Sequence, residues 1–149
     1  MATTPELVKE MIYVLDVDGP LSTERRQFWQ MTRATLEGPR VRASSVLPGI
    51  DWFTPVGDGY GHPHVRLPFR TDDGAIVLME YRGIVHATDA FQRAVADDTP
   101  TKWEDQYMRM ALTFSTDAAP YAWLTKSLFL ARGRLLGAKK LEYEVFRIT

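Results

Sequence analysis

The sequence predicts a mainly β protein: one antiparallel β-barrel with a short helical insertion, a single domain over residues 1–149. Three observations carry this. Apolar residues recur with a period of two more often than with the helical period. Turn-forming clusters punctuate the chain at short, regular intervals. The chain has 149 residues, the size of one domain, with no linker, repeat or low-complexity tract.

Residues 8–17 are rich in β-branched and aromatic side chains, and Met11, Tyr13, Leu15 and Val17 share one face of the expected strand. Asp18-Gly19-Pro20 breaks the run. Residues 27–36 read as a second strand, Glu37-Gly38-Pro39 as a turn, and residues 41–46 as a third strand. Pro48-Gly49 breaks the chain again, and residues 50–62, rich in glycine and aromatics, read as a loop. Residues 65–70 and 75–82 read as a hairpin around Asp72-Asp73-Gly74, where Gly74 supplies a positive φ. A register pairing Asp72 with Ala75 sets Arg66 opposite Tyr81. Thr88 or Asp89 caps a short helix through Phe91, Ala94 and Val95, and Asp97-Asp98-Thr99-Pro100 ends it. Residues 103–107 read as a further helical turn or flap. Strands resume at 108–116, 123–132 and 141–148, for a total of about eight.

Eighteen basic residues nearly balance nineteen acidic ones, for a formal net charge of -1. No basic run is present to follow a phosphate backbone, so nucleic acid is not an expected partner. No apolar stretch approaches the ~20 residues of a membrane helix, and the start lacks the pattern of a signal peptide. The absence of cysteine removes disulfides, thiolate nucleophiles and cysteine-bound zinc, and agrees with a cytoplasmic setting. No cofactor is expected, since neither a phosphate-binding glycine loop nor a dinucleotide fingerprint occurs. No metal is expected either: His62 and His64 have a strand-type ligand spacing, but Pro63 interrupts it and no third ligand is evident. A homodimer is expected, because a partly open barrel leaves strand edges to cover.

The candidate catalytic residues are Asp51, Arg66 and Tyr81. A carboxylate beside the Trp52 indole is open to desolvation, which raises its pKa toward the range useful for proton transfer. Its ordinary alternative is a loop aspartate capping backbone amides. Arg66 on an inward strand position needs an anionic or polar partner, either a protein carboxylate or the ligand. Tyr81 beside it would donate to an oxyanion or serve equally as core with its hydroxyl hydrogen-bonded. Trp52, His64, Tyr121, Trp123 and Lys126 are the expected substrate contacts. Aromatic residues at a strand mouth make ligand walls, although they serve equally as core.

Three ordered segments carry a family resemblance: Glu37-Gly-Pro-Arg-Val-Arg to Val46-Leu-Pro-Gly-Ile-Asp-Trp, Arg70-Thr-Asp-Asp-Gly-Ala-Ile, and Pro120-Tyr-Ala-Trp-Leu. Together they resemble the bacterial domain-of-unknown-function 3237 family, from about residue 8 to residue 148. The resemblance implies a small barrel of the calycin or allene-oxide-cyclase type, and the family name supplies no reaction. Gly38, Pro39, Pro48, Gly49, Asp51, Trp52, Asp72, Gly74, Tyr121 and Trp123 match the family pattern. Ser115 stands where the family often has an acidic residue, and Thr125 where it often has asparagine. By that comparison Asp51 becomes the stronger acid/base candidate here. The tract 88–107 is longer and more aromatic than the pattern, as a substrate-specific lid would be. The expected function is that of a cofactor-independent lyase, isomerase or hydratase acting on a small aromatic or cyclic metabolite. The alternative is a barrel that binds such a molecule without turning it over.

Overall fold

A computed structural model describes residues 3–149. Ten strands form one antiparallel sheet: β1 (Leu7–Ser22), β2 (Gln27–Glu37), β3 (Arg42–Ser45), β4 (Gly49–Gly57), β5 (Tyr60–His62), β6 (His64–Thr71), β7 (Ile76–His86), β8 (Tyr107–Ser115), β9 (Phe129–Gly137) and β10 (Lys140–Ile148). The sheet closes on itself, because β1 pairs with both β10 and β2 while β6 pairs with both β7 and β4. Closure leaves no long free edge, so the unpaired-edge argument for a homodimer loses its footing. Among the described residues, no helix is long and apolar enough to cross a membrane.

Strand alternation builds the interior. Met11, Tyr13 and Leu15 of β1 are buried, as are Val77, Met79 and Tyr81 of β7 and Met108, Met110, Leu112 and Phe114 of β8. Two bulges adjust this pattern. One between Lys9 and Met11 buries Glu10 beside Met11, and Glu10 then accepts a hydrogen bond from Arg147 at 2.9 Å. Another lies where β1 crosses β2, between Asp16 and Val17. It fits a change of phase on β2: Trp29 and Met31 face inward at one end, Ala34 and Leu36 at the other. A bulge inserts one residue and re-aims everything beyond it.

The two ends of the barrel differ. At one end the 3-10 helix Ala119–Lys126 folds over the opening, with its Leu124 fully buried. The other end carries the helix α1 (Asp89–Asp97). Thr88 caps α1 by accepting from the Phe91 N–H, and Asp98 ends it in the left-handed conformation. The Asp98 carboxylate then accepts from the Ala138 N–H in the β9–β10 turn at 2.8 Å, which pins the helix across the barrel mouth.

Three expectations are corrected. Residues 50–62 form β4 and β5, joined by a tight turn at Gly57-Asp58-Gly59 in which all three residues have positive φ. Residues 119–126 are a 3-10 helix where a strand was expected from 123, and Pro120 sits in its first turn, where the missing N–H costs nothing. The β6–β7 hairpin has a three-residue loop, so the strand pairs run Arg70 with Ile76, Arg66 with Glu80 and Val65 with Tyr81. Thr71 sets this register: its N–H donates to the Ala75 carbonyl and its hydroxyl accepts from the Ala75 N–H. One residue of slip sends Arg66 to the outer face and leaves Tyr81 inside.

Candidate functional site

The barrel encloses a cavity of about 360 Å³ that opens beside α1. This is within the usual size range of small-molecule pockets. Its walls are apolar and aromatic: Trp29 from β2, Phe53 from β4, Met108 and Met110 from β8, and Phe91 and Val95 from α1. Polar groups are few. Asp51, Tyr81 and Tyr143 all line it.

Asp51 faces inward on β4, opposite Trp29 of β2. Burial away from water raises its carboxyl to about 7, with the His64 N–H, donating to Oδ1 at 3.0 Å, acting in the opposite sense. The group therefore exchanges its proton near neutral pH. It is placed for this by strand alternation: Ile50 and Trp52 on either side point out.

Three tyrosines meet inside the barrel. Tyr13 stacks on Tyr143 with ring centroids 5.4 Å apart, and meets Tyr81 edge-on at 5.9 Å. The Tyr13 and Tyr81 hydroxyls share a hydrogen bond of 3.1 Å. Gly133, paired with Tyr143 across β9 and β10, makes room for its ring; a Cβ there would lie 2.4 Å from it. Burial first, and then neighbouring groups that include Asp51, hold the Tyr81 and Tyr143 phenols well above the ordinary value. They stay neutral and remain hydrogen-bond donors.

This shared hydrogen bond gives a direct test. Tyr81→Phe leaves the buried Tyr13 hydroxyl without its partner, and we expect a loss of about 1–3 kcal/mol. Tyr13→Phe on the same background recovers most of it, since no orphaned hydroxyl remains. Urea unfolding of the two single variants and the double variant measures the coupling.

The remaining candidates lie elsewhere. Arg66 is on the outer face, its Nε 2.9 Å from Glu80 Oε2, and does not reach the cavity. The His64 ring is also outside, with Nε2 3.3 Å from Glu80 Oε1, although its backbone N–H serves Asp51. Trp52 points outward, edge-on to Phe28 at 5.1 Å. Tyr121 and Trp123 belong to the covered end of the barrel. There the Tyr121 hydroxyl donates to Asp73 at 2.7 Å, and Trp123 lies under the Arg40 guanidinium at 3.7 Å. Lys126 is exposed at that same end. Asp51 and Tyr81 are brought together; the substrate contacts expected from sequence are not. Trp29, Phe53 and Tyr143 line the cavity instead. Period-two alternation was the available signal for Tyr143, whereas the phase of β2 was hidden by its bulge.

A family model described as "Protein of unknown function (DUF3237)" matches residues 7–148. The chain belongs to the DUF3237 family. A UPF0311 protein of Clostridium acetobutylicum is 27% identical over 135 residues, covering 83% of this chain and 85% of that protein. Solved structures agree on the fold. A conserved protein of unknown function from Rhodopseudomonas palustris superposes with a TM-score of 0.88 at 20% identity, covering 99% of this chain and 100% of that one. A β-barrel-like protein from Acinetobacter baumannii AYE does so at 0.82 and 21% identity, covering 100% and 99%. These likenesses establish the barrel and supply no reaction.

Proposed function

We propose that the chain is a cytoplasmic, cofactor-independent enzyme, a lyase, isomerase or hydratase, that moves a proton on a small aromatic or cyclic metabolite. One observation carries this reading: a carboxyl held at about 7 at the wall of an apolar cavity that also presents tyrosine hydroxyls. A group poised near the working pH is suited to taking a proton and returning it.

Asp51 removes a proton from a carbon next to a carbonyl or phenol. Charge then develops on the substrate oxygen, and Tyr81 or Tyr143 donates to it. The Tyr13 hydroxyl, 3.1 Å from the Tyr81 hydroxyl, holds it in position at the cavity wall. Trp29, Phe53 and Phe91 hold the ring of the ligand and exclude water, which strengthens these polar contacts. Arg66 has no role in this scheme.

The apolar lining equally favours a second reading, a barrel that binds such a molecule without reaction. The two separate in one experiment. A panel of small cyclic ketones and phenols is incubated in D₂O with protein, and exchange of carbon-bound hydrogen is followed by proton NMR. Exchange that disappears in Asp51→Asn while ligand binding persists supports the enzyme. Exchange unchanged in Asp51→Asn overturns it, and saturable binding with no exchange in the native chain assigns the binding protein.

A further inference from the structure

The outer wall of the barrel carries a second concavity, a groove of about 860 Å³ on the far side of β4 and β6 from the cavity. Arg26, Arg66, Arg82, His62 and His64 line it, with Trp52 as an apolar wall. The strand register assembles this group. His64 stands opposite Arg82, and Arg66 opposite Glu80, so four outward side chains form a block across β6 and β7. Ile50 of β4 is opposite Arg66 on the same face.

The charges in the block do not balance. Glu80 alone serves both the Arg66 guanidinium and the His64 ring. Arg26 and Arg82 have no carboxylate within ion-pair distance among the described residues. Three guanidinium groups around one concavity repel one another, and the wall focuses their field into the groove. The Glu80 contact also fixes the direction of the Arg66 fork, which lowers the cost of presenting it to a ligand. Trp52 is 51% exposed, Ile50 49% and Ile84 43%, so apolar surface borders the cations.

We infer that this groove is a binding site for a small organic anion carrying two or more negative charges, distinct from the barrel cavity. The arginines take the charged groups by paired N–H donors, as guanidinium does with phosphate and carboxylate. Trp52 and the two isoleucines take the apolar body. Glu80 sets a requirement on the ligand: a single negative charge would meet the carboxylate as well as the cations, whereas a second charge can also engage Arg26 and Arg82, which line the groove without pairing with Glu80.

Isothermal titration of the whole chain at pH 7 and low salt tests this, with pyrophosphate and citrate as probes. One saturable site per chain is expected for at least one of them. Preference for pyrophosphate assigns a phosphorylated ligand, and preference for citrate a polycarboxylate. Arg66→Gln with Arg82→Gln should weaken binding by about tenfold or more. The charge-matched pair Arg33→Gln with Arg93→Gln, both exposed and outside the groove, should change it by less than about twofold. Equal losses in the two double variants, or no saturable binding of either probe, would overturn the proposal. All four arginines are exposed, so the variants should fold, and thermal unfolding checks that they do.

Discussion

Asp51→Asn should stabilise the protein above neutral pH and, on the proposed function, abolish turnover. The folded carboxyl has its pKa raised from 3.8 to about 7, chiefly by burial. A raised carboxyl pKa means that the fold prefers the protonated form. Below pH 3.8 both states hold the proton and Asp51 costs nothing through ionisation. Between 3.8 and about 7 the unfolded chain ionises while the folded one resists, so stability falls as pH rises. Above about 7 the full penalty is present, roughly 4 kcal/mol at 1.36 kcal/mol per pH unit. Asparagine has no charge to lose, and its side-chain oxygen can still accept from the His64 N–H. Urea unfolding at pH 5 and pH 8.5 should show the variant gaining on the native chain by a few kcal/mol between the two. Parallel curves would mean that Asp51 ionises like a surface carboxylate, and the acid/base role would go with that result.

Leu124→Ala should cost about 2–5 kcal/mol, the range for removing a fully buried leucine whose surroundings cannot collapse. Leu124 is 0% exposed and belongs to the 3-10 helix that covers one end of the barrel. It shares one core cluster with aromatics that brace one another: Phe114 and Phe129 pack edge-on at 5.0 Å, and Trp123 lies 6.2 Å from Phe129. The space left behind remains largely empty. Because the site is at the other end, ligand affinity should change little. Urea unfolding combined with ligand titration checks both parts. A loss under about 1 kcal/mol would show that the helix is a loose cover rather than part of the core.

The two variants mark what the residues made legible. Strand alternation exposed the barrel, and it placed Tyr81 inside with Met79. A proline-glycine break followed by a carboxylate pointed to Asp51. What failed was phase. The Thr71-Asp72-Asp73-Gly74-Ala75 segment is compatible with a two-residue or a three-residue loop, and the difference turns on the Thr71 hydroxyl. That choice moved Arg66 from a presumed inner position to the outer groove. On β2, the bulge opposite Asp16 and Val17 changes the inward phase after Met31. No local pattern announces it, so Trp29 went unnoticed as a wall. Trp52 and Trp123 are large and aromatic, but composition says nothing about which side of a wall they occupy.

The barrel is closed by packed side chains under its 3-10 helix and bridged by α1 at the other end. A guest that enters past α1 must leave by the same way. Such a chamber holds one organic molecule at a time, and no second reactant can approach from behind. On the proposed function, the chemistry suited to it uses a single organic substrate: a double bond shifted, a ring closed or a small group eliminated. A departing product obstructs the next arrival until it clears the helix. On that same reading, a product that leaves slowly past α1 would act as the protein's own inhibitor.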